Sequence, residues 1–162
     1  MMRILYLHGL ESSNVGSKVD FLKSVSHCYA PEMDYTNPNL EKELLKMVDA
    51  FKPNFIIGSS MGGYVASLLG NYCGINYISF NPAIHSRNFD PVLPKLSITD
   101  DSRYVSGLFV LGAADDVIDP NITIDMVEGV ESIEIEMVEG MGHRIPLNVL
   151  VDIYKKYLPT ND

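Results

Sequence analysis

Residues 54–66 read NFIIGSSMGGYVA, and the change of character along this stretch decides the fold. An apolar run, Phe55-Ile56-Ile57, stops at Gly58, and after two serines Met61, Tyr64, Val65, Leu68, Leu69 and Tyr72 recur at helical spacing. A buried strand that turns straight into an amphipathic helix is half of a β-α-β unit. A serine in such a turn is often only a capping hydroxyl. Gly58 and Gly62 point further, because they complete Gly-x-Ser-x-Gly, in which a nucleophilic serine sits on a sharp turn and the residues two before and two after it must be small. Centred on Ser59, those flanks would be Ile57 and Met61, which are too large. Ser60 is therefore the candidate nucleophile, expected in a sparsely populated backbone conformation.

The same alternation extends in both directions. Short apolar runs at 3–7, 27–30, 54–57, 77–80, 108–111 and 133–138 read as strands, several with so little polar alternation that both faces must be covered. Helical stripes lie between them: Val19, Leu22 and Val25; then Leu40, Leu44, Leu45, Val48 and Phe51 after Asn37-Pro38; then Leu147, Leu150, Val151, Tyr154 and Leu158 after Pro146. Strand and helix alternate over most of the chain, which predicts a mainly parallel central sheet flanked by helices. In such a sheet the ligand crevice lies beyond the carboxyl ends of the strands, so the loops there carry the chemistry.

Length and composition narrow the classes. A chain of 162 residues has room for one domain with a proper core, so residues 1–162 are read as a single domain. The 46% apolar content with 20% charged residues is that of a globular chain, and no window has the apolar length to span a bilayer. The opening MMRILYLHGL has too short an apolar run for a signal peptide, which points to a cytoplasmic protein. A net charge of −9 disfavours nucleic acid, whose phosphates call for clustered cations. Cys28 and Cys73 have neither redox nor zinc spacing and read as buried reduced thiols. No metal or cofactor is implied, and the sequence carries no signal of an oligomeric state.

A serine hydroxyl needs a base and a group to orient that base. Of four histidines, His143 in Glu139-Gly-Met-Gly-His143 follows the last strand and precedes the last helix, which makes it the best base. His27 opens a strand, His8 is better placed to brace its own loop, and His85 lies in a long loop. The acid is expected after the strand at 108–111, in Gly112-Ala-Ala-Asp115-Asp116, with Asp115 first and Asp116 second; Asp119 before Pro120 reads as a helix cap. Serine, then aspartate, then histidine is the chain order of an α/β-hydrolase triad. Two backbone N–H groups would form the oxyanion hole, that of Met61 after the nucleophile and that of Leu10, aimed by a tight turn at Gly9.

With these residues in view, the chain resembles the small YqiA-like esterases (UPF0227-type) of the α/β-hydrolase superfamily, over nearly its whole length. LYLHGLESS resembles the family's first strand and oxyanion loop, GSSMGGYVA its nucleophile turn, FNPAI a following strand end and GMGHRI its histidine loop. The resemblance implies a compact α/β-hydrolase fold without a large cap domain, with Ser60 and His143 as nucleophile and base, and Leu10 and Met61 as oxyanion donors. The acid loop GAADD departs from the family's spacing and is closer to the Gly-x-x-Asp of other α/β-hydrolases. The activity implied is hydrolysis of small or short-chain acyl esters or thioesters through an acyl-enzyme. Two rival readings are a binding protein on the same fold without catalysis, and an acyltransferase with the same triad.

Overall fold

The computed structural model describes residues 1–96 and 105–158. Along the chain run β1 (Arg3–Leu7), α1 (Ser17–Val25), β2 (His27–Tyr29), α2 (Leu40–Phe51), β3 (Phe55–Ser59), α3 (Met61–Cys73), β4 (Tyr77–Phe80), β5 (Gly107–Gly112), α4 (Pro120–Val127), β6 (Ile133–Val138) and α5 (Leu147–Tyr157). The six strands form one sheet in the order β2-β1-β3-β4-β5-β6, and every pairing is parallel. All residues of β4 and β5 are buried, whereas β6 at one edge has none that is fully buried. That gradient explains why the middle strands lack polar alternation: helices cover both of their faces.

The two faces have separate cores. On one, Leu40 and Leu44 of α2 and Val65 and Leu69 of α3 pack on Leu5, Leu7, Ile56 and Phe109. On the other, Val19 and Leu22 of α1 and Leu150, Ile153 and Tyr154 of α5 pack on Ile4, Tyr6, Ile57, Ile78 and Val110. Alternate residues of each strand thus serve opposite layers, as the period of two requires. Among the described residues no helix is long and apolar enough to cross a membrane.

One element departs from the expected order. The sequence pattern has no helix between the fifth and sixth strands, yet α4 stands there. Its segment, PNITIDMV, is short and contains Ile122, Thr123 and Ile124, β-branched residues that weaken a helical signal. What starts the helix is its end: Asp119 caps it by accepting a hydrogen bond from the Asn121 N–H (2.9 Å), and Pro120 occupies the first turn. The sequence identified that cap without the helix behind it. A smaller difference concerns Val25 and Leu147, read as core-facing but 38% and 39% exposed, because the first and last helices turn those ends to solvent.

Strand order also locates the functional edge. From β1 the chain goes to β2 on one side and then to β3 on the other, so the direction of winding reverses between β1 and β3. At such a reversal the loops leaving the two strands diverge and open a crevice. The loops concerned are those after Leu7 and after Ser59, paired strand ends in which Leu7 lies opposite Gly58.

Packing around Tyr77 yields a stability prediction. Its buried ring lies between Gly70 of α3 and Gly107 of β5, and a Cβ on Gly107 would come within 2.3 Å of the ring's Cζ. Gly70 blocks retreat on the opposite side, where an added Cβ would be 2.5 Å from Cδ1. Gly107→Ala is therefore expected to cost about 1–3 kcal/mol of stability through overpacking. Thermal unfolding should show a lower midpoint, by about 2–4 °C per kcal/mol; an unchanged midpoint would mean that the ring has slack.

Candidate active site

Ser60 caps α3 with φ 56° and ψ −117°, a left-handed-side conformation that a non-glycine residue rarely adopts. Such a residue costs about 1–3 kcal/mol and persists only where its surroundings impose it. Here three backbone bonds do so. The Ser60 N–H donates to the Phe80 carbonyl at 2.9 Å, and the Ser60 carbonyl accepts from the N–H groups of Tyr64 and Ala83, both at 3.0 Å. The small-neighbour rule has a direct steric basis: a Cβ on Gly58 would lie 2.1 Å from the Gly62 carbonyl oxygen, and one on Gly62 would lie 2.0 Å from that of Leu7. Ser59 remains in the sheet as the last residue of β3, opposite Phe80.

The histidine and the acid arrive from the strands beyond. Ser60 Oγ is 3.0 Å from His143 Nε2, and His143 Nδ1 is 2.9 Å from Asp115 Oδ2. The other carboxylate oxygen of Asp115, Oδ1, accepts from the N–H groups of Val117 and Ile118, each at 2.9 Å. With one oxygen taken by two donors, Oδ2 serves as the acceptor for Nδ1–H, and the network assigns the ring proton to that nitrogen. Nε2 then presents a lone pair to the Ser60 hydroxyl. The Asp115 side chain is fully buried and the imidazole 23% exposed, so the line opens towards solvent at the serine and histidine end. Between the two candidate acids the fold selects Asp115; Asp116 is exposed.

The loop after β1 closes on the same point. Gly9 touches the turn so closely that a Cβ there would be 3.3 Å from both the Ser59 carbonyl oxygen and Ser60 Cβ. Its φ is not positive, so what favours glycine at this position is close approach rather than backbone freedom. Leu10 follows with a half-exposed side chain, and Met61 is buried as the first residue of α3, where helix geometry leaves the N–H without an intrahelical acceptor. His8 braces the loop: Nε2 accepts from the Met33 N–H (2.9 Å), Nδ1 donates to the Gly9 carbonyl (2.7 Å), and the Tyr35 hydroxyl donates to the His8 carbonyl. Both ring nitrogens are thereby committed, which removes His8 as a base. His85 is held elsewhere, with Nε2 3.1 Å from the Asp119 carbonyl and 3.2 Å from Thr123 Oγ1. His27 pairs with Arg3 at 3.2 Å on the exposed edge strand.

One residue of the site has no role assigned by the sequence, where it stands only within FNPAI at a strand end. Asn81 follows β4 with φ 43° and is 2% exposed, and its N–H donates to the Val110 carbonyl at 2.9 Å. A signal existed in the sequence, since an asparagine directly after a strand and before a proline is among the few residue types that tolerate a left-handed backbone.

Among the described residues no group of three or more His, Cys, Asp or Glu side chains is arranged to hold a metal ion. Cys28 and Cys73 are free and half-buried rather than buried. Burial pushes the Cys28 thiol up to about 11, so it stays protonated and weakly nucleophilic at neutral pH.

Comparison with known proteins bears on the fold and the family. Est1E from Butyrivibrio proteoclasticus superposes with a TM-score of 0.75 at 15% identity, covering 97% of this chain and 86% of that one. A monoacylglycerol lipase from Paleococcus ferrophilus superposes with a TM-score of 0.71 at 15% identity, covering 95% and 93%. At such identities the likeness shows the fold alone, one shared with a metagenomic protein described as an α/β hydrolase, which superposes with a TM-score of 0.67 at 15% identity and covers 96% of this chain and 88% of that one. In sequence, a UPF0227 protein of Vibrio parahaemolyticus is 33% identical over 100 positions, covering 52% of this chain and 53% of that relative. One from Vibrio vulnificus strain CMCP6 is 32% identical over 99 positions, with 52% and 53% covered. The chain spans about half the length of the curated relatives it matches. The profile of an uncharacterised protein family, UPF0227, matches residues 3–105, a span that holds the loop after β1, the serine turn and Asn81 but ends before Asp115 and His143. Since that match takes in well over half of the sequence, the chain belongs to the UPF0227 family, and its fold is that of solved α/β hydrolases.

Proposed function

We propose that this protein is a serine hydrolase that cleaves small or short-chain acyl esters or thioesters through an acyl-enzyme. The observation that carries the reading is the continuous line Ser60 Oγ, His143 Nε2, His143 Nδ1, Asp115 Oδ2, with links of 3.0 and 2.9 Å and a strained serine at its open end. In the first half-reaction Ser60 Oγ attacks the carbonyl carbon while His143 Nε2 takes its proton. The imidazolium, steadied by Asp115, returns that proton to the leaving alcohol or thiol as the tetrahedral intermediate collapses. Water then repeats the sequence on the acyl-serine and frees the acid. The negative charge that develops on the carbonyl oxygen is met by the Leu10 and Met61 N–H groups, worth about 3–4 kcal/mol per donor in such sites.

The direct test is a fluorophosphonate probe, which bonds to an activated serine. One equivalent should attach at Ser60 in the native protein, with parallel loss of hydrolysis of an acetate ester. Absence of labelling at Ser60 would overturn the proposal.

Chain-length preference follows from the segment after β4. Among the described residues it is tied down: Ile84 and Leu96 are buried in the core, Arg87 Nη1 donates to the Ala83 carbonyl (2.9 Å), and the Lys95 N–H donates to the buried Glu41 carboxylate (2.8 Å). The remainder of this segment, 97–104, lies outside the described residues. With the described part of this segment held against the core, the reading is that the serine takes short acyl groups in preference to long ones. Across p-nitrophenyl esters from acetate to palmitate, kcat/KM is expected to peak at the short end; a steady rise to palmitate would refute the preference.

A further inference from the structure

We propose that Asn81 is the positioning residue of the triad, whose side chain holds the backbone of His143 in register with Ser60 and Asp115. The proposal rests on the serine-hydrolase reading and adds to it a residue outside the serine, acid and base. Three hydrogen bonds carry it. Asn81 Nδ2 donates to the Gly142 carbonyl at 3.1 Å and to the His143 carbonyl at 2.9 Å, while Oδ1 accepts from the Gly112 N–H at 2.8 Å. Two carbonyls on one side and an N–H on the other also fix which end of the amide is which.

The partners belong to the loops that carry the chemistry. Gly112 closes β5 and its carbonyl accepts from the Asp115 N–H (3.1 Å), so it starts the acid turn. Gly142 and His143 are the histidine loop itself. Phe80, the neighbour of Asn81 in the chain, accepts from the Ser60 N–H. One buried carboxamide therefore stands where all three loops meet. The loop it grips has little stiffness of its own, with glycines at 140 and 142, the former at φ 73°. Upstream, the Met141 N–H donates to the Val138 carbonyl (3.3 Å) and the Ala114 N–H to the Met141 carbonyl (2.9 Å); downstream, the Ile145 carbonyl accepts from Lys18 Nζ (3.2 Å). Asn81 acts on the carbonyl of His143.

The residue type fits the task. Position 81 needs a positive φ, a short side chain, two donors and one acceptor. Glycine would satisfy the backbone and nothing else; aspartate would turn a carboxylate oxygen towards two carbonyl oxygens. Asparagine is the non-glycine residue that combines tolerance of this backbone with that hydrogen-bonding set. Because a misplacement near 1 Å can cost about a hundredfold in rate, a slack histidine loop should be felt in the chemical step rather than in binding.

The test compares Asn81→Ala and Asn81→Asp with the native protein on an acetate ester, with rates normalised to sites titrated by a fluorophosphonate. Expected is a fall in kcat of about a hundredfold for Asn81→Ala, with KM within about twofold, and a fall at least as deep for Asn81→Asp. In proton NMR, the low-field signal of the hydrogen-bonded His143 Nδ1 proton should shift or vanish in both variants. Native kcat and an unshifted signal in a folded variant would overturn the proposal, as would a loss confined to KM or to the melting midpoint. If Asn81→Ala does not fold, the isosteric Asn81→Asp decides by the same two readouts. Failure of the hydrolase reading would look different: the native protein would be inert to ester and probe, while the imidazole signal would still report whether Asn81 holds His143.

Discussion

Ser60→Ala is expected to lower kcat/KM on an acetate ester by about a thousandfold or more, with the fold intact. The reasoning starts from what the substitution leaves in place. Alanine keeps the Cβ that packs near Gly9, and the backbone bonds from Ser60 to Phe80, Tyr64 and Ala83 do not involve the side chain. Only Oγ and its 3.0 Å link to His143 are lost, so the stability change should stay near about 1 kcal/mol. On the proposed mechanism the chemical loss is large because Ser60 Oγ is the atom that forms the acyl bond, and the proposed oxyanion donors alone would support only a small residual rate. Ser59→Ala is the matched control, since Ser59 ends the strand and is displaced from the sharp turn; it should retain activity. Progress curves with titrated protein check both. Full activity in Ser60→Ala would refute the mechanism.

Asp115→Asn is expected to be nearly as damaging, lowering kcat by about ten-thousandfold in line with triads whose histidine is held in the wrong tautomer. The geometry explains why an isosteric change is not mild. The native carboxylate accepts from three N–H groups: Val117 and Ile118 on Oδ1, His143 on Oδ2. An amide has only one acceptor end. If its oxygen faces Val117 and Ile118, its NH2 faces Nδ1 and forces the ring proton onto Nε2, where it opposes the serine hydroxyl. If the amide turns over, its NH2 confronts two backbone donors and the turn itself is disturbed. Asp116→Asn changes an exposed neighbour and should leave kcat unaltered. The pair separates a specific role for Asp115 from a general effect of negative charge in GAADD. Equal loss in both variants would refute the assignment.

How legible the site was depended on the range of the interaction that defines each part. The choice between Ser59 and Ser60 is readable within five residues from which serine has two small flanks, although of the contacts behind that rule only the one between Gly58 and Gly62 is local, and the one at Gly62 is with the Leu7 carbonyl of β1. Strand boundaries were legible for the same reason: β1, β4 and β6 fall where short apolar runs predict them. The helix α4 was missed because its residues have weak helical preference and the Asp119 cap supplies the start. Asn81 was missed because its three partners lie in two loops far along the chain.

From sequence alone follow the alternation of strand and helix, the parallel sheet and which of two adjacent serines has the flanks of a nucleophile turn, all of which rest on periodicity and side-chain size over a few residues. Tertiary structure decided which aspartate reaches the histidine, which histidine is free to act and which asparagine holds it. Asp115 and Asp116 are adjacent and chemically identical, and only the turn after β5 points one inward and leaves the other in water. His8 and His143 both stand at the strand ends, but Met33 and Gly9 occupy the nitrogens of one and leave Nε2 of the other for Ser60. The physical reason is that a hydrogen bond between Ser60 and His143 spans 83 positions of chain, and its existence depends on the order in which six strands pack side by side.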